Sequence, residues 1–198
     1  MIKIGLTGSI GSGKSIVSTY FKKWGCYIFD ADEVSKKILF KNETTQNEII
    51  AEFGTDVLGI NKKIDNVKLA KIAFQNEDYQ LRLNSIIHPY IFKEIHTSID
   101  QISKEKSYDI FVVDAALIYE TGFEVHMDYV VVVTSRLKLR TERALIAGKL
   151  NRDDFLKREA LQWSDQDKIN MADFVIHNNG TEDELEQESK KIFNYLNN

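Results

Sequence analysis

The chain is poor in cysteine and proline, with one of each in 198 residues. A lone Cys26 excludes an internal disulfide framework and fits a reducing compartment. Positive charge is also short: 26 Lys and Arg against 30 Asp and Glu leave a net charge of −4. A general nucleic-acid binder carries a strong basic excess, so no nucleic-acid partner is expected. Long apolar runs are missing. The longest clean one, Tyr129 to Val133, is far too short to span a bilayer, so no membrane role is expected either. The opening Met1 to Gly5 lacks the charged-then-apolar plan of an export signal. The expected setting is cytoplasmic. The four histidines show no metal-ligand spacing, and no H-E-x-x-H occurs.

What remains is an ordinary globular composition, 43% hydrophobic and 28% charged, which argues against disorder. There is no internal repeat and no low-complexity linker. Ile2 to Leu6 reads as a short strand running into glycines, and four of the ten, at 5, 8, 11 and 13, crowd together there. Ile16, Val17, Tyr20 and Phe21 then recur at helical spacing. Cys26 to Phe29 reads as a second strand that stops at Asp30-Ala31-Asp32. From about Glu33 to Lys106 the chain is polar and helix-periodic, and a helical face over 84–102 is expected to break near Pro89. Strands return at 110–113, 129–133 and 174–176, with helices at about 136–147, 153–170 and 181–196. Strands alternating with helices predict an α/β fold with a parallel sheet.

Gly8-Ser9-Ile10-Gly11-Ser12-Gly13-Lys14-Ser15 fits G-x-x-x-x-G-K-[ST]. Phosphate oxygens need many donors at close range, and glycines let backbone N–H groups turn inward. The following helix offers its positive end to the same anion. Lys14 can bridge the outer phosphates, and the Ser15 hydroxyl suits Mg²⁺. The expected nucleotide-binding stretch is Gly8 to Ile16. Asp114 closes an apolar strand, where it either helps hold Mg²⁺ or caps the next turn. Asp30 and Asp32 follow the second strand, where one can cap a helix and the other engage an acceptor hydroxyl. Five of the six arginines fall between 136 and 158, either as a solvated helix face or as phosphate-gripping forks.

Such a loop serves small-molecule kinases, guanine-nucleotide switches and ATPase modules alike. Asn61-Lys62-Lys63-Ile64-Asp65 misses the switch motif N-K-x-D by one residue and follows no strand. The helical insertion and the Arg-rich segment suit a kinase better, one to hold an acceptor and the other to close as a lid.

The chain resembles the dephospho-coenzyme A kinase family from about Ile2 to Tyr195. The likeness rests on Gly5-Leu6-Thr7-Gly8, on Phe29-Asp30-Ala31-Asp32 (similar to I-D-A-D), and on Phe53-Gly54 and His88-Pro89. It continues through Leu117-Ile118-Tyr119-Glu120, the spacing of Arg143, Arg158 and Gln162, and Ala172 to Gly180. The resemblance implies a P-loop kinase fold with a five-stranded parallel sheet, a helical substrate-binding insertion and a helical lid. It implies one kinase unit over 1–198: core at 1–34, 107–135 and 172–198, acceptor region 35–106, lid 136–171. It implies ATP with Mg²⁺ and dephospho-coenzyme A as substrates, and no obligatory protein partner. Asp32 would be the base; Arg140 and Arg143 would meet the phosphates; Asn178 to Gly180 would lie near adenine. Ser15 and Asp114 would serve the metal. Departures include Ser9 and Ile16 for the commoner Gly and Thr, and Lys36 and Asn66 where Arg is common. Ala116 stands for Pro, and Ala147-Gly148-Lys149 for R-D-G in the lid.

Overall fold

The structure is a computed structural model that describes residues 1–148 and 150–197. Lys149, which was considered above as part of the altered lid, lies outside the described residues. Two compact units emerge: Met1–Asp30 together with the chain from Ser98 on, and Ala31–Thr97.

The first unit is built on five parallel strands, β1 (Ile2–Thr7), β2 (Tyr27–Asp30), β3 (Ile110–Asp114), β4 (Tyr129–Thr134) and β5 (Phe174–His177). Their order is β2-β3-β1-β4-β5. Helix α1 (Lys14–Lys23) follows β1, and α9 (Glu182–Leu196) follows β5. Alternation along the strands feeds two cores. Ile4, Leu6, Val112, Val131 and Val133 join Val17, Phe21, Leu185 and Phe193 on the α1/α9 face. Val130 and Val132 join Ile118 and Tyr119 on the other, with Ile169 and Ala172 packed against them. Both faces are covered, which is why β3 and β4 read as continuous apolar runs. A capping box of Thr181 and Glu184 starts α9.

The register fixes where the strand ends lie. Leu6 pairs with Asp114, and Asp114 pairs with Asp30. The carboxyl ends of β1, β2 and β3 therefore form one edge, the place where open parallel sheets receive ligands.

The Arg-rich segment holds three short helices, α6 (Leu137–Ile146), α7 (Arg152–Ala160) and α8 (Asp165–Met171). The single helix expected over 153–170 is thus broken at 161–164. There Ser164 turns its side chain onto the Asp167 N–H and caps a new helix, while Gln162 and Trp163 bond away from the helix axis.

The second unit is helical: α2 (Ala31–Lys41), α3 (Glu43–Phe53), α4 (Asn66–Ala73) and the first two-thirds of α5 (Glu77–Glu105). Asn42 caps α3 and Asp65 caps α4. The expected break at Pro89 does not occur; α5 runs through it. One lost backbone bond is outweighed by the apolar stripe Leu83, Ile87, Ile91 and Ile95, all buried. Among the described residues no helix is long and apolar enough to cross a membrane.

Candidate active site

The loop from Gly8 to Gly13 leaves the end of β1, the middle strand of the sheet, and turns directly into α1. Three of its glycines are required by close approach. A Cβ on Gly8 would lie 2.3 Å from the Val133 carbonyl oxygen. One on Gly11, at φ 78°, would lie 2.4 Å from the Arg140 carbonyl oxygen. One on Gly13, at φ 96°, would lie 2.2 Å from Asn178 Nδ2. At Gly11 and Gly13 only glycine tolerates both the left-handed backbone and the missing space, and at Gly8 the space alone demands it. The result is a tightly packed loop that runs into the α1 N-terminus, whose first turn carries no acidic residue.

Lys14 is largely buried, and its ammonium bonds the carboxylate of Asp114. Asp114 is itself buried, at 6% exposure, at the end of β3. Ser15 and Ile16 are exposed on the first turn of α1. A hydroxyl and a carboxylate are hard oxygen donors of the kind Mg²⁺ takes beside phosphate oxygens. Among the described residues no group of three or more His, Cys, Asp or Glu could hold a metal alone. By donor chemistry, the Ser15 hydroxyl and the Asp114 carboxylate fit that ion.

Arg140 is the most enclosed cation facing the loop, with 3% of its side chain exposed. Its guanidinium is given to protein acceptors. Nε donates to the Ser135 carbonyl at 3.2 Å and one terminal nitrogen to the Ile10 carbonyl at 3.2 Å. The other meets Glu159 and Asp165, each at 3.1 Å. Asp165 in turn accepts from the Ser9 hydroxyl. The Ile10 N–H donates to Gln162 Oε1 at 3.0 Å. Three side chains of the Arg-rich segment, Arg140, Gln162 and Asp165, therefore grip the outer arch of the loop.

Arg143 donates to Ser135 Oγ at 3.1 Å, to the Asn178 carbonyl at 3.0 Å and to Asn178 Oδ1 at 3.3 Å. Asn178, 5% exposed, donates from Nδ2 to the Ser12 carbonyl at 2.8 Å. Arg143 and the loop are thus joined through one amide. Gly180 is exposed beside the α9 capping box, and a Cβ there would strike Glu184 Oε2 at 1.7 Å. The Ser12 hydroxyl is buried without a partner among the described residues.

Asp30 ends β2 beside Asp114, whereas Asp32 lies exposed in the first turn of α2, in the second unit. The near-miss to the switch motif forms a turn: Lys62 sits at φ 58°, and Asp65 caps α4. Sequence reasoning missed Asp165 and Lys168. Lys168 is fully buried and paired with Glu120 at 2.9 Å. Cys26 is buried and its thiol is pushed up to about 12 by desolvation, so it is inert.

A central parallel sheet, a G-x-x-x-x-G-K-S cradle on its middle strand and a cation-rich helical segment over that cradle define a P-loop kinase. The dephospho-CoA kinase (CoaE) family model matches residues 2–184. A dephospho-CoA kinase of Fusobacterium nucleatum is 38% identical over 186 residues, covering 92% of each chain. A solved structure, TT1252 from Thermus thermophilus, superposes with a TM-score of 0.81 at 26% identity, covering 98% of this chain and 97% of that one. The dephospho-CoA kinase of Campylobacter jejuni superposes with a TM-score of 0.69 at 27% identity, covering 98% and 96%. The chain belongs to the dephospho-CoA kinase family.

Proposed function

We propose that the protein transfers the γ-phosphoryl group of ATP to the ribose 3′-hydroxyl of dephospho-coenzyme A, giving coenzyme A. The observation that carries this reading is the Gly8–Ser15 cradle with Lys14 seated on Asp114, in a chain that follows the family model almost end to end.

Phosphoryl transfer has a loose transition state and depends on alignment and charge stabilisation. Backbone N–H groups of the cradle hold the phosphate chain, and Lys14 leaves Asp114 to bridge the outer phosphates. Ser15 and Asp114, released from Lys14, are the groups that would hold Mg²⁺. When bound, that ion neutralises charge on the phosphate oxygens. Asp32, two residues beyond the end of β2, is proposed to orient the acceptor hydroxyl and take its proton, as the resemblance implies. Arg143 faces the loop side of α6 and is proposed to stabilise the group in flight. We assign Arg140 to bracing, because its charge is already met by the carboxylates of Glu159 and Asp165, whereas Arg143 bonds neutral acceptors at Ser135 and Asn178. Asn178 holds the loop at Ser12, and the turn to Gly180 supports the nucleotide side of the site.

The test is ADP release by purified protein with Mg²⁺ and a panel of acceptors: dephospho-coenzyme A, nucleoside monophosphates, shikimate and pantothenate. Strong stimulation by dephospho-coenzyme A alone is expected. Stimulation by a different acceptor would keep the kinase and overturn the substrate; indifference to every acceptor would leave an ATPase module.

A further inference from the structure

Lys168 is the only lysine among the described residues with no exposed surface, and nothing in the chemistry above uses it. It lies one turn into α8. Its ammonium donates to the Ala116 carbonyl at 3.1 Å and pairs with Glu120 Oε1 at 2.9 Å. The same Ala116 carbonyl accepts the Thr7 hydroxyl at 3.1 Å. The same Glu120 oxygen accepts the Trp163 N–H at 2.9 Å. Thr7 is the last residue of β1, directly before the cradle, and Ala116 stands two residues after Asp114. The Ala115 N–H is already tied to the Leu6 carbonyl at 3.1 Å. One ammonium thus closes a circuit joining the strand that launches the phosphate loop to the peptide that carries on from Asp114.

Burying an ammonium is costly, and a packed apolar side chain of similar length would avoid that cost. The pair is not even fully satisfied, since Glu120 Oε2 is buried without a hydrogen-bond partner among the described residues. What an ammonium supplies and a thioether does not is a directed bond that fixes the orientation of the Ala116 carbonyl. Ala116 lacks the ring that would stiffen this peptide, so that bond and the Thr7 bond set its plane. The α8 helix that carries Lys168 also starts at Asp165, which holds Ser9, so the metal side and the outer arch share one support.

We propose that Lys168 is a positioning residue: acting through Ala116, it holds the Asp114 carboxylate where it serves Mg²⁺ on the bound nucleotide. This rests on the reading of Asp114 as a metal-holding group.

The test compares wild type, Asp114→Asn, Lys168→Met, Lys168→Arg and Glu120→Gln as full chains. The binding constant of a non-hydrolysable ATP analogue is measured by calorimetry with and without Mg²⁺, beside urea unfolding. Wild type binds more tightly with Mg²⁺, and Asp114→Asn loses that increment. Lys168→Met is expected to reduce the increment at least fivefold while Mg²⁺-free affinity stays within twofold, and Lys168→Arg to recover more than half. If Lys168→Met does not fold, Glu120→Gln carries the test, with a loss of about threefold expected. An undiminished increment in Lys168→Met (or, in that case, Glu120→Gln), or an equal loss with and without Mg²⁺, overturns the inference alone. An undiminished increment in Asp114→Asn overturns the metal reading and the inference with it.

Discussion

Replacing Gly13 with Ala attacks the cradle at the point where backbone conformation and packing coincide. The residue sits at φ 96°, and an added Cβ falls 2.2 Å from Asn178 Nδ2. Holding alanine in a left-handed conformation costs about 1–2 kcal/mol. The steric term depends on the neighbour. Asn178 can swing away, but then its bond to the Ser12 carbonyl and its clasp on Arg143 are lost. Leaving a buried carbonyl unpaired costs about 1–3 kcal/mol, so Gly13→Ala should destabilise by about 2–5 kcal/mol. Asn178→Ala loses the same bonds and should cost about 1–3 kcal/mol by itself. In the double variant those bonds are lost only once, and the clash is gone. It should therefore be hardly less stable than Gly13→Ala alone, a coupling of about 1–3 kcal/mol. Urea unfolding of the four proteins measures this directly. Additivity within about 0.5 kcal/mol would refute the claim that Asn178 braces the loop through Ser12.

Other expectations concern the remaining parts of the site. Lys14→Ala and Asp32→Asn should each lower kcat by orders of magnitude, with the urea midpoint little changed for the exposed Asp32 and lowered for Lys14→Ala, which leaves the buried Asp114 carboxylate without its ammonium; near-normal turnover in steady-state assays would remove that residue from the chemistry. Arg140→Ala breaks an enclosed cation away from two carboxylates and should cost about 3–5 kcal/mol in unfolding free energy, more than Arg143→Ala. A cost below that of Arg143→Ala would contradict the bracing role. Burial pushes the Cys26 thiol from its ordinary 9.0 up to about 12. Above pH 9 the unfolded chain sheds a proton that the folded chain keeps, so stability falls as pH rises, by up to about 1.4 kcal/mol per pH unit from this group. Cys26→Ala should flatten that slope in unfolding measured between pH 8 and 10.

The parts legible in the sequence are those encoded locally. The phosphate loop is a contiguous pattern whose strand and helix flank it, so Gly8 to Ser15 could be placed from spacing alone. Asp114 was legible because an apolar strand must end somewhere, and a carboxylate there marks the carboxyl edge. Pro89 misled, because a local breaker was weighed without the buried stripe that carries α5 through it. The 161–164 break was hidden for the opposite reason: Gln162 and Trp163 leave the helix to satisfy Ile10 and Glu120, partners more than forty residues distant. Lys168 was invisible on the same ground, since a lysine on a polar helix reads as solvated until the fold sets it on Ala116. Arg140 and Arg143 were found as a cluster, but a cluster does not reveal which guanidinium is already paired with protein carboxylates.

The proposed reaction sends a phosphoryl group from this cradle to one oxygen of one acceptor. The most direct measurement follows γ-labelled ATP incubated with the protein, Mg²⁺ and dephospho-coenzyme A, and locates the labelled phosphate in the product by mass and phosphorus resonance. Label is expected on the ribose 3′-oxygen, in an amount equal to the ADP formed. Label in inorganic phosphate, or on any other oxygen, would contradict that reaction.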